Sequence, residues 1–166
     1  MKRTYSLIAI TLFASLCIYL FYRTEKTVVN ELVLFFFSRD TFAQIRNIVA
    51  KALPLSNPII FSLPGGLWVF CSTVLAKDIY LVIRDRHIPT VTVPLLFAVG
   101  LEICQLVHIT KGTFDLWDIA FYAMFWLVAY VGFQFQPKHS ILSTFARNGF
   151  IWLASFLSVF FAHVNT

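Results

Sequence analysis

Glu102, Gln105, Asp115 and Asp118 are the residues whose types and spacing suggest chemistry in this chain. Glu102 falls inside an apolar run, about two turns from its end, where an ionisable side chain is expensive and usually has a reason. Gln105 follows three residues later on the same helical face, and His108 lies three further on. A short turn, Thr110 to Thr113, then reverses the chain, and Asp115 and Asp118 open the next helix, again three apart. Adjacent antiparallel helices would bring the three acids and the amide to one end of a bundle. Such an acidic pocket can engage a polar ligand or a membrane partner, or hold a divalent ion that neutralises a phosphate.

A second segment converges on the same end. Ser62-Leu63-Pro64-Gly65-Gly66-Leu67-Trp68 reads as the start of an apolar helix, with Pro64 in its first turn. Gly65 and Gly66 allow close backbone approach, and exposed amides at a helix start can bind an anion. Pro64, Gly65, Gly66, Trp68, His108 and Lys111 are therefore possible contributors to the cluster. Plainer readings compete with each of these. Asp115 and Asp118 fit a helix N-terminus, where carboxylates cap free amides and oppose the dipole. Glu102 fits a hydrogen-bonded structural acid, or a partner of Lys111.

Metal and nucleophilic chemistry gain less support. Cys104 and His108 are four apart on one face, but Glu102 lies about 160° and 120° around an ideal helix from them, so no metal site is assigned. No His is placed to activate Ser62 or Ser72, and the reading leans away from an enzyme. No cofactor is specified.

The elements that must position these residues follow from composition. The chain has 166 residues, 59% of them hydrophobic and 13% charged, with 19 Phe. Its mean hydropathy is +0.79. Ordinary soluble domains are about 45–50% apolar and about 25% charged, so an ordinary soluble enzyme, a disordered chain and a nucleic-acid-binding domain are excluded. Cys17, Cys71 and Cys104 lie in apolar stretches and read as packing residues.

Windows of about 20 apolar residues suffice to cross a bilayer. They predict spans over residues 5–22, 64–83, 89–109, 114–135 and 149–163. Between the first two, residues 41–53 alternate apolar and polar positions at helical spacing, with Ser38 or Asp40 as cap and Pro54 as terminator. Val28 to Phe37 is apolar but too short to span. The expected fold is therefore all-α, a single integral membrane domain of about five transmembrane helices with an amphipathic interfacial helix after the first. Lys2, Arg3, Arg84, Arg86, Lys138 and Arg147 on one side place the N-terminus in the cytoplasm, with Lys111 opposite. Arg23, Lys26, Arg39, Arg46 and Lys51 would level the two sides unless several belong to the interfacial helix.

Glu102-x-x-Gln105 followed by Gly112-Thr113-Phe114-Asp115-x-x-Asp118 resembles the VanZ-like family of small membrane proteins. Leu63-Pro64-Gly65-Gly66-Leu67-Trp68 is similar to the segment that opens the second span in compact members. The resemblance covers roughly residues 60–132, and Lys111 stands where members often carry a basic residue. Members often carry Asn-x-x-Gly after the second acid, where this chain reads Ile119-Ala120-Phe121-Tyr122-Ala123. The resemblance implies a multi-pass protein of the bacterial inner membrane, related to a factor in glycopeptide resistance. The expected function is an accessory protein whose outward cluster engages a lipid-linked envelope ligand or a membrane partner. The alternatives are a small subunit of a larger membrane complex and a metal-dependent intramembrane enzyme acting on a lipid phosphate.

Overall fold

A computed structural model describes residues 2–23, 38–83, 86–110, 112–134, 139–140 and 152–157. The described chain is mostly helical. Its helices are α1 (Lys2–Tyr22), α2 (Arg39–Ala52), α3 (Asn57–Ala76), α4 (Val93–Leu106) and α5 (Leu116–Gly132), with a further helical stretch over 152–157. Two of these are long and apolar enough to cross a membrane, Thr4–Tyr22 and Asn57–Ala76, whereas Thr90–Leu106 and Leu116–Gly132 are apolar but shorter.

α3 is the central helix, touching α1, α4 and α5. One cluster of buried residues joins Ile8 of α1, Phe70, Cys71 and Val74 of α3, and Ala129 of α5. A second joins Val69 of α3, Ala98 of α4 and Tyr122 of α5. Indole donors fasten the periphery. Trp126 Nε1 donates to the Val91 carbonyl at 3.0 Å, and Trp152 Nε1 donates to the Ser72 carbonyl at 3.1 Å.

The expected helix from Pro64 to Ile83 is shifted. Ser56 and Pro58 start α3 at Asn57, so Pro58 is the first-turn proline and Pro64 lies inside the helix. Pro64 deprives the Ile60 carbonyl of its usual amide donor. In the adjacent position, Arg23 Nη2 donates to the Phe61 carbonyl at 2.6 Å. The helix stops at Ala76, and Ile79-Tyr80-Leu81-Val82-Ile83 forms strand β1. Its β-branched and aromatic side chains suit an extended, half-buried ribbon better than a helix end.

β1 pairs antiparallel with β2 (Arg86–Pro89), Leu81 opposite Ile88, and parallel with the short β3 (His139–Ser140). This small sheet is an addition to the all-α expectation. It displaces the next helix, expected from residue 89, to Val93, after a 3-10 turn over Thr90–Thr92. Buried Thr90 locks the join, its hydroxyl lying 3.0 Å from the Ile79 carbonyl and 3.3 Å from that of Ala76.

The amphipathic helix over 41–53 is found as Arg39–Ala52, with Phe42 buried and Ser38 at the N-cap position. Arg46 holds it in place by donating from Nε to the Phe21 carbonyl at 3.3 Å and from Nη2 to the Arg23 carbonyl. The Phe21 carbonyl lies in the last turn of α1 and the Arg23 carbonyl just beyond it, so the guanidinium serves as a cap supplied by the neighbouring element. Tyr22 answers by donating to the Leu53 carbonyl at 2.6 Å. Of the span expected at 149–163, residues 152–157 are helical and the others lie outside the described residues, as does Val28 to Phe37.

Candidate functional site

The facing ends of α4 and α5 carry the cluster. α4 closes with a left-handed residue, His108, at φ 58°. The Ile109 amide reaches back to the Cys104 carbonyl at 2.8 Å, and the His108 amide reaches that of Gln105 at 3.0 Å. This pair of bonds is the helix-ending arrangement that normally takes glycine in the left-handed position. His108 is exposed there and does not join the acids. Gly112 follows at φ 121°, and a Cβ on it would stand 3.0 Å from the Gln105 side chain. Backbone angle and proximity both call for glycine at this point of the turn.

α5 then starts on Asp115, whose side chain accepts from the Trp117 amide at 2.9 Å. That bond is an ordinary N-cap, satisfying one of the free amides of the first turn. Asp118 sits in the same turn, half-buried. Tyr122 is one turn further along the face that bears Asp118.

Glu102 is the centre of the arrangement. Only 1% of its surface is exposed, fewer than any other charged residue reaches among those described. Tyr122 donates its hydroxyl to Oε1 at 3.2 Å. The Gln105 amide, oriented so that both of its ends find partners, donates at 3.2 Å to Oε2 and at 3.2 Å to the Thr113 carbonyl. The backbone amide of Asp115 also faces the Glu102 carboxyl, and Asp118 lies within electrostatic reach of Glu102 and Tyr122. A buried acid surrounded by donors in this way satisfies the requirement that buried polar groups be paired. Asp118, within electrostatic reach of this group, is the less enclosed carboxylate.

Gly65 and Gly66 have a different task from the one their sequence suggests. Both lie inside α3, where their amides belong to the helix and do not form an anion cradle. A Cβ on Gly65 would stand 2.7 Å from Cε1 of Tyr122, and one on Gly66 would stand 2.6 Å from Cδ2 of Phe125. The two glycines let α5 approach α3 closely, and this approach seats Tyr122 against Glu102. Pro64-Gly65-Gly66 thus meets the cluster through Tyr122. Trp68, one turn on, packs edge-on to Phe156, with ring centres 5.0 Å apart.

Glu102, Gln105, Asp115 and Asp118 are brought together, His108 is turned outward, and Lys111 lies outside the described residues. Tyr122 is the member that sequence reasoning missed. Its signal was available: it stands four residues after Asp118, on the same face of an apolar helix. Among the described residues, no three His, Cys, Asp or Glu side chains stand close enough to hold a metal ion. No family model, curated protein or solved structure matches the chain.

Proposed function

We propose that the chain is a multi-pass membrane protein of the bacterial envelope, of the VanZ-like kind, acting as an accessory binding protein. Its N-terminus faces the cytoplasm, and the Glu102 cluster faces outward. The five-span arrangement belongs to this proposal. What supports a membrane setting is the apolar surface of α1, which is long enough to span yet only 11% buried within the fold. Ile10 and Phe13 are 69% and 66% exposed. A contiguous apolar surface of that kind needs lipid or another protein against it.

The single observation that carries the binding role is the saturated Glu102 carboxyl beside the less enclosed Asp118. Glu102 is satisfied within the fold, so the ligand-facing group in this reading is the Asp118 carboxylate, which selects a ligand bearing ammonium or hydroxyl donors. Anionic groups are disfavoured there, because the glycine amides that might have received them are used within α3. The test compares glucosamine with N-acetylglucosamine by saturation-transfer NMR on the full chain in detergent. Glucosamine, which keeps its ammonium group, binds preferentially, and Asp118→Asn removes the preference. Equal binding of the two sugars by the unmodified protein overturns the proposal.

The exposed face of α1 also fits a second reading, a small subunit held in a larger membrane complex. Recovery of a stoichiometric partner in mild detergent, lost on Phe13→Ser, would select it.

A further inference from the structure

We propose that Ser62 is a further binding residue beside Asp118 and that the ligand is an amino alcohol, its ammonium on Asp118 and its hydroxyl on Ser62. The proposal rests on the binding role given to Asp118. Ser62 lies inside α3 and is 1% exposed, and its hydroxyl oxygen is buried without a hydrogen-bond partner. It does not take the carbonyl one turn back, as serines within helices often do. Buried hydroxyls are nearly always paired, so this exception calls for a partner that arrives from outside the fold.

The register of α3 against α5 sets Ser62 opposite Asp118. Gly65 meets Tyr122, and Gly66 meets Phe121 and Phe125. Further along, Phe70 meets Phe133 with ring centres 6.1 Å apart, so the two helices run parallel. Ser62 precedes Gly65 by three residues and Gly66 by four, which puts it between their two directions, on the face of α3 that meets α5. Asp118 precedes Tyr122 by four residues and Phe125 by seven, and so shares the face of α5 that meets α3. From the Gly65–Tyr122 contact, Ser62 is about 4.5 Å towards the N-terminus and Asp118 about 6 Å, so their levels differ by only about 1.5 Å. The carboxylate only accepts, whereas the hydroxyl both donates and accepts. An ammonium suits the first, and a hydroxyl on the neighbouring carbon suits the second.

Ethanolamine and n-propylamine test this, titrated by saturation-transfer NMR into the full chain in detergent. Both are ammonium ions at neutral pH and nearly equal in size, and only ethanolamine carries the hydroxyl. The unmodified protein prefers ethanolamine roughly tenfold, and Ser62→Ala abolishes the preference. Thr73→Val is the control. Thr73 lies on the same face of α3, about 16 Å further along, fully buried and with an equally unpartnered hydroxyl. Its variant keeps the preference. Thermal unfolding confirms the fold of each variant, and if Ser62→Ala does not fold, Ser62→Cys carries the test with a side chain of similar size that bonds weakly. Equal binding of the two amines by the unmodified protein, or a preference kept by the folded Ser62 variant or lost in Thr73→Val, overturns the inference. The glucosamine preference assigned to Asp118 stands in those cases. Binding of neither amine also overturns the inference, and a missing glucosamine preference alongside it marks the failure of the Asp118 reading itself.

Discussion

Tyr122 of α5 donates its hydroxyl to Oε1 of Glu102 of α4 at 3.2 Å, and the ring of the same tyrosine rests on Gly65 of α3. One side chain therefore joins three helices, with an apolar contact on one side and a polar one on the other. Removing its oxygen leaves the packing intact and the buried carboxyl short of a donor. Tyr122→Phe should destabilise the protein by about 1–3 kcal/mol. Reversible unfolding in detergent checks this, with half-exposed Tyr5→Phe as a control that stays within about 0.5 kcal/mol.

The glycines divide into two groups with opposite expected signs. Gly65→Ala and Gly66→Ala each place a methyl group under 3.0 Å from an aromatic ring of α5. Each should cost about 1–3 kcal/mol through overpacking. Gly100 of α4 has nothing within 4 Å of a built Cβ, so Gly100→Ala should stabilise the helix by about 0.5–1 kcal/mol. Melting temperatures of the three variants, measured side by side, decide the matter.

Asp115 has a structural duty that separates it from Asp118. Its side chain caps α5 through the Trp117 amide, so Asp115→Ala should lose about 0.5–2 kcal/mol, and Asp115→Ser should recover most of it. Recovery by serine identifies the cap as the cause, since serine restores the acceptor without the charge. The preference for glucosamine should persist in the folded Asp115→Ser protein, in contrast to Asp118→Asn.

Arg46 fixes α2 to the end of α1 through the Phe21 and Arg23 carbonyls. Arg46→Ala should free α2 while the cores around Val69 and Val74 remain. Amides of residues 41–52 should then exchange roughly tenfold faster or more, as expected for loss of hydrogen bonds from a charged donor. Unchanged exchange in α2 would show that Phe42 and its neighbours hold the helix unaided.

What the sequence determined alone was what is local. The alternation at residues 41–53 marked α2 to within two residues, because an amphipathic stripe depends only on helical period and burial of one face. Asp115 was legible as a cap for the same reason, its partner being two residues away. The gathering of Glu102, Gln105, Asp115 and Asp118 also followed from two facing helices and a short turn. The hairpin after Ala76 escaped, since a short apolar run of Ile, Tyr, Leu and Val fits a helix end or a strand equally well until a pairing partner is present. Pro64 misled because Pro58, six residues earlier, had already opened the helix.

Tertiary structure decided the rest. The Glu102–Tyr122 bond spans 20 residues of chain, and its existence depends on the rotation and depth of α5 against α3 and α4. No residue period encodes that register. It is set by how closely two backbones can approach, and here Gly65 and Gly66 set it by having no side chain. The acids were therefore visible in the sequence as a cluster. Which of them is enclosed, which is a cap and which stays half-buried was decided only when the helices packed.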